Sequence, residues 1–384
     1  MSTTTLNKLP EWRLALDAAL IMAVGMGFGR FAFTAVYPRM LDEGLITFSQ
    51  GGWAASANYA GYLLGAILGM RAQASNAHRL CLFSLLGTAI CLGVLAVLHS
   101  AAALILIRGI AGVFSALSMV AATLWLLDHK RVTHGAPLMF AGVGVGIACS
   151  AEMLVFGTWT GLHSAGLWLL LGVASLLIGL GAASGLMNIG TGTGIQNRNS
   201  DADVESLQMV HHRPLIALYG LAGFGYIVTA TYLPVLVQQA LPNLDPAHVW
   251  AVFGLGAAPS CFLWHHLHHR IGTRKALFAN LTIQAFGVIL PIVFQNAAGY
   301  LSSALLVGGT FMGTVVIAMP AAQRIARARK TQLVAKMTVF YGLGQVIGPL
   351  VASALYAHSH SFSTSLAVAA ATLAAGGMIS IFAL

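Results

Sequence analysis

The sequence predicts an all-α integral membrane protein with twelve transmembrane helices arranged as two parallel, pseudosymmetric six-helix halves. Three observations carry that expectation. Of the 384 residues, 58% are apolar and only 8% charged, against about a quarter charged in a soluble domain. So few charges cannot cover a soluble surface, which excludes a soluble enzyme and a disordered chain. The apolar residues fall in runs near the roughly 20 residues that a helix needs to cross a bilayer, and landmarks of the first half recur in the second. The 43 glycines and 11 prolines follow no period, which excludes collagen-like and low-complexity chains.

Cut at its polar breaks, the chain gives spans at 14–38, 50–70, 79–99, 102–127, 134–158, 164–188, 214–239, 246–266, 274–295, 299–322, 332–357 and 361–383. The runs are continuous, whereas barrel strands alternate apolar and polar residues over about 10 positions; only helices fit. Basic residues orient them. Lys8, Arg13, Arg71, Arg79, Lys130, Arg131, Arg198, Arg213, Arg270, Arg274, Lys275, Arg324, Arg327, Arg329, Lys330 and Lys336 fall in the N-terminal tail, the even-to-odd loops or the adjoining helix ends. The opposite loops carry only Arg39. By the positive-inside rule both termini are cytoplasmic, and the protein is expected in the plasma membrane, the inner membrane of a bacterium. The net charge of +9 then follows from topology, and no nucleic-acid partner is needed. The first span is too long for a cleaved signal peptide and lacks its small-residue cleavage site. Cys81, Cys91, Cys149 and Cys261 fall within spans, where an isolated thiol behaves as a small hydrophobe. They form neither a disulfide framework nor a zinc pattern.

The repeat shows in three landmarks. Gly27-Phe28-Gly29 with Pro38 matches Gly223-Phe224-Gly225 with Pro234 at an offset of 196; Trp53 and Trp250 open the next span of each half; Gly142-x-Gly144 matches Gly342-x-Gly344 at an offset of 200. An even number of spans between copies preserves their orientation, so the pseudo-twofold runs along the membrane normal. The halves are 1–189 and 213–384, joined by a cytoplasmic linker over 190–212 that carries Asp201, Asp203 and Glu205. The linker's Gly190-Thr-Gly-Thr-Gly194 run lacks the Lys-Ser/Thr of a phosphate loop and reads as flexible spacer.

Local motifs narrow the family. The runs GMGFGRFAFTAVYPRML (Gly25 to Leu41), GWAASANYAGYLLGA (Gly52 to Ala66), AGVGVGI (Ala141 to Ile147) and GLGQVIGPL (Gly342 to Leu350) together resemble the YbfB/YjiJ-type subfamily of the major facilitator superfamily. The resemblance covers essentially the whole chain and implies transport on the major facilitator fold. It implies a conformational latch in the loop between the second and third helices, where Gly69-Met-Arg71 to Arg79 keeps basic residues but no Asp. Arg270-Ile-Gly272-Thr-Arg274-Lys275 is a better version in the second half. It also implies a role near substrate or proton for Arg108 in the Arg108-Gly109-x-x-Gly112 motif.

Charges inside a bilayer are costly and usually mark pathways. Arg30, Arg108 and Glu152 are the candidates, each roughly 9 to 12 Å below the outer surface when counted from Pro38, Ala102 and Thr158 at 1.5 Å per residue. The expectation is one ionic cluster: Arg108 paired with Glu152, Glu152 as the proton site, and Arg30 facing an anionic or zwitterionic substrate with Thr34 and Tyr37 on the same face. A purely structural ion pair is the rival reading. Asn58 and Tyr62 share a face of the second helix. Asn58 also fits an interhelical hydrogen bond, and the Gly61, Gly65, Gly69 stripe fits close helix packing. In the second half, Tyr219, Tyr226 and Thr229 line the seventh helix and Tyr341, Gln345, Pro349 and Tyr356 the eleventh. With no acidic residue in a span there, the contribution is expected to be aromatic and hydrogen-bonding. Asp17 and Asp128 read as interfacial. His265, His266, His268 and His269 lack a Cys or carboxylate to complete a metal site.

The resulting expectation is a secondary transporter, not an enzyme, without cofactor or metal and acting as a monomer. It moves a small-molecule substrate through the lipid bilayer by alternating access, driven by protons or another coupling ion. The alternatives are polyspecific efflux of amphipathic drug-like compounds and a non-transporting receptor or scaffold.

Overall fold

The structure is a computed structural model that describes residues 9–187, 212–329 and 332–384, and no strand occurs among the described residues. The first span is one column made of α1 (Glu11–Met22), a π-helical stretch (Ala23–Phe31) and α2 (Ala32–Asp42). The π stretch covers the glycine-rich segment that carries Arg30. Its three alternate glycines each admit a neighbour: Gly25 meets Ser118, Gly27 meets the backbone of Gly146, and Gly29 meets Thr88. Helices can therefore close in on the column from three sides, and its π stretch is buried at every residue. Widened i→i+5 turns of this kind are rare and concentrate at functional sites.

The following helices are α3 (Phe48–Gly69), α4 (Ala77–Leu95), α5 (Ala101–Thr123, prolonged by a π turn to His129), α6 (Ala136–Trp159) and α7 (Ser164–Leu186). Beyond the segment 188–211 come α8 (His212–Ala240), α9 (Pro246–Val293), α10 (Ala297–Arg329), α11 (Leu333–Ser359) and α12 (Ser363–Phe382). Straight, the 48 residues of α9 would extend about 72 Å, more than twice a hydrocarbon core of about 30 Å. The helix instead breaks at Gly272, with φ 79° and ψ 168°, a conformation that suits glycine because it has no Cβ. By length and composition ten helices among the described residues are able to cross a membrane, α9 counted once. The glycines and the polar Ser, Gln, Asn and Tyr of α3 keep it outside that set.

Small residues set the helix crossings. A Cβ on Gly61 would run into the carbonyl of Gly109, and one on Gly112 into the carbonyl of Asn58. The α3 stripe therefore packs backbone to backbone on α5. Gly144 of α6 meets Ala258 and Gly254 of α9 in the same way. In a bilayer, where lipid is as apolar as leucine, such close approach replaces hydrophobic burial as a main source of helix association.

The end of α2 is tied to the start of α7 by Glu43. Its carboxylate accepts from the backbone N–H of Ser164 at 3.0 Å, from the Ser164 hydroxyl, and from Arg39 Nε at 2.9 Å. Burial works to raise the Glu43 pKa, but the hydrogen bonds from Ser164 and His163 and the Arg39 charge outweigh it and hold the group below its ordinary value. A depressed folded-state pKa adds stability that is present above the unfolded value and lost as pH falls through the folded one. Glu43→Gln is expected to lower stability by about 1 kcal/mol at pH 7. Thermal unfolding across pH should show the gap to wild type closing below about pH 4.

Several sequence expectations land differently. Asp17, expected to reach water from the helix end, is fully buried in α1, with Arg13 Nε 3.3 Å from its carboxylate. The repeat landmarks occupy unlike surroundings. Trp53 is exposed, whereas Trp250 is buried and donates Nε1–H to the carbonyl of Phe31 at 3.0 Å. Cys149 is exposed and the other three cysteines are buried. Of the expected linker only His212 is described. Lys8, Arg198 and Lys330 lie outside the described residues.

Candidate functional site

Arg108 lies in the middle of α5 and is 1% exposed. The neighbouring Gly109 and Gly112 bring α3 against this helix, which closes the site to water. Its guanidinium donates to the carbonyls of Gly29 and Arg30, at 3.0 Å each, and lies 4.5 Å from the ring centre of Phe33. Both carbonyls belong to the π stretch, at its junction with α2. Arg108 thus braces the first column through two charge-assisted hydrogen bonds and an aromatic face. No carboxylate is its partner in the ion pairs of the described residues.

Arg30, directly above that brace, is 3% exposed. Its guanidinium carbon stands 4.0 Å from the ring centre of Tyr62, 5.0 Å from Tyr59 and 5.1 Å from Phe31. A desolvated cation over an aromatic face gains about 2 kcal/mol, far less than the cost of burying the charge. Its Nε and Nη2 have no hydrogen-bond partner. Asn58, on the same α3 face, donates Nδ2 to the carbonyl of Arg108 at 2.9 Å. That is the interhelical bond anticipated for it, and its Oδ1 stays unpartnered.

α8 and α11 supply the opposite wall. Gln345 donates Nε2–H to the Tyr226 hydroxyl. Tyr219 stacks on Tyr341 with ring centres 4.5 Å apart, and Tyr226 stacks on Phe311 at 5.5 Å. Phe311 in turn meets Phe31, the residue after Arg30, at 5.8 Å. Arg30, Tyr62, Tyr226, Tyr341 and Gln345 are therefore neighbours in the structure.

The expected ionic cluster does not form. Glu152 is half-exposed and pairs with His248 at the start of α9, Oε1 to Nδ1 at 2.9 Å. Counting residues along the first column, α5 and α6 left the angular position of each side chain undetermined, and Glu152 points around α6 towards α9. Thr34 and Tyr37 do not extend a stripe from Arg30 either: Thr34 donates to the carbonyl of Ala230 at 2.9 Å and Tyr37 to that of Phe48 at 2.7 Å. Tyr59, which sequence reasoning passed over, faces Arg30 and shares a 3.2 Å hydrogen bond with Thr231. Its aromatic ring one position beyond Asn58 was the available signal.

Hydrogen bonds between the N-terminal and C-terminal helices gather towards the α2–α3 and α8–α9 loops. Besides Thr34, Tyr59 and the Glu152–His248 pair, Gln238 donates to Asp42, and Ser56 donates to the carbonyl of Val346 at 2.9 Å. Above them Phe48, Tyr232, Tyr356 and Phe362 pack ring on ring at 4.5 to 5.5 Å. A recess of about 470 Å³ opens beside this seal, lined in part by Arg39, Asp42 and Asp245. At the opposite end Arg71, Arg79 and Arg270 are exposed. Arg274 donates to the carbonyl of Ile381, where it caps the end of α12. The His265 and His269 rings lie 4.7 Å apart, and no metal-holding group of three His, Cys, Asp or Glu occurs among the described residues.

Comparison with known proteins agrees with these helices. Residues 22–381 match the family described as uncharacterised MFS-type transporter YbfB. No curated protein matches the chain.

Proposed function

Because the chain belongs to the YbfB family of MFS-type transporters, and so is a multi-pass membrane transporter, we propose that it moves a small organic anion or zwitterion by alternating access between two six-helix halves. Counting α9 as two spans about Gly272 and admitting α3 gives twelve. The single observation that carries the substrate charge is Arg30, a buried guanidinium with two unpartnered nitrogens between the walls of the two halves. An anion at that point compensates a charge that no side chain does. The hydrogen bonds and rings at one end then act as a closed outer gate, with both termini in the cytoplasm of the cell. A reporter active only outside the cytoplasm should be silent when fused after Leu384 and active near Leu244; activity at Leu384 overturns the orientation.

Proton coupling belongs to the same proposal. Glu152 of α6 and His248 of α9 form an ion pair across the seam, Oε1 to Nδ1 at 2.9 Å. Breaking that pair and opening that seam are therefore linked. In proteoliposomes, Glu152→Gln is expected to lose solute accumulation driven by a pH gradient while keeping solute exchange across the membrane. Unchanged driven accumulation removes Glu152 from the coupling path.

A further inference from the structure

The Nε and Nη2 of Arg30 form one edge of its guanidinium, and both are buried and unpartnered. That edge presents two parallel N–H groups, which match the two oxygens of a carboxylate in a bidentate pair. The opposite face of the cation is taken by Tyr62 at 4.0 Å. That contact packs the face of the cation and leaves Nε and Nη2 in its plane without a partner.

The walls around it are flat. Tyr226 is stacked between Phe311, at 5.5 Å and 19° between planes, and Tyr341, at 5.9 Å and 20°. Phe31 and Tyr59 close the side next to Arg30. Near-parallel rings favour a flat guest over a puckered one, because offset stacking adds to simple burial. Across the site the Nε2 of Gln345 is committed to Tyr226, which leaves its Oε1 as a buried acceptor without a donor. Gln345 itself is 1% exposed.

Two orphaned donors on one wall and an orphaned acceptor on the other define a guest with the inverse pattern. Taking as given the transport reading above, we infer that the solute is a planar aromatic monocarboxylate that carries a hydrogen-bond donor, a hydroxyl or amino group, on the ring away from its carboxylate. The carboxylate pairs with the Nε/Nη2 edge of Arg30, the ring lies among these aromatic side chains, and the distal donor satisfies Gln345 Oε1.

Four probes of one size test this on the purified full-length chain by calorimetric titration and thermal shift: 4-hydroxybenzoate, benzoate, 4-hydroxybenzamide and cyclohexanecarboxylate. The expected result is that 4-hydroxybenzoate binds about tenfold or more tighter than the amide and than cyclohexanecarboxylate, and several-fold tighter than benzoate. Arg30→Lys should weaken both benzoates about tenfold without lowering the melting temperature of the ligand-free protein, and Gln345→Leu should erase the preference for the hydroxylated ring. If either variant fails to fold, the wild-type series decides alone. Equal binding of the amide and its parent acid overturns the anion site and with it the substrate charge proposed above. Equal binding of cyclohexanecarboxylate and benzoate, both above the amide, leaves the anion site standing and overturns the aromatic inference. Binding by none of the four also overturns the inference, while the transporter reading stands.

Discussion

Arg108→Met is expected to destabilise the protein by about 3 to 5 kcal/mol, whereas Arg30→Met leaves stability unchanged or raises it. The two arginines are on adjoining helices and equally buried, so burial alone predicts the same outcome for both. Their partners separate them. Arg108 satisfies two carbonyls of the π stretch, and a hydrogen bond from a charged donor contributes about 1.5 to 3 kcal/mol. Met at this position keeps most of the volume and leaves the carbonyls of Gly29 and Arg30 without those donors. Arg30 has unpartnered nitrogens, so its removal relieves a buried charge, and replacing such a charge by an apolar side chain of similar volume is often neutral or stabilising. Thermal unfolding of both variants in detergent checks the contrast, with transport as the second readout: Arg30→Met should be stable and inactive. If the two variants lose stability equally, Arg30 is a structural brace like Arg108, and the solute-binding role fails.

Gly144→Leu is expected to abolish transport. A Cβ at Gly144 would overlap the backbone of Ala258, and on the other side of the contact Gly254 meets Ala148 equally closely. No rotamer change relieves a clash with backbone, so α6 and α9 must separate at this crossing. Gly144→Ala imposes a smaller displacement and should retain part of the activity. Transport by both variants, read beside their melting temperatures, tests this. Wild-type transport by folded Gly144→Leu would show that the crossing does not need to stay closed during the cycle.

The sequence by itself determined the membrane class, the helical architecture and the family. These are legible because they depend on composition and on one-dimensional spacing. Apolar runs of span length exclude every soluble fold, Tyr226 and Gln345 fall on inward faces by helical periodicity, and the α3 glycines mark a close crossing whichever helix fills it. Only the tertiary structure decided who pairs with whom. Glu152 was given the wrong partner, because counting residues places a side chain along the helix whereas its direction around the axis depends on how the helix is rotated against its neighbours. His248, nearly a hundred positions away, carries no local sign that it meets Glu152. The π stretch was equally hidden: Gly25-Met-Gly-Phe-Gly-Arg30 reads as a flexible α-helix, and only the structure shows the π turns and the three neighbours that meet its glycines. That packing hands Arg108 its two carbonyls and leaves Arg30 with none. The division of labour between two identical side chains is therefore a property of their surroundings.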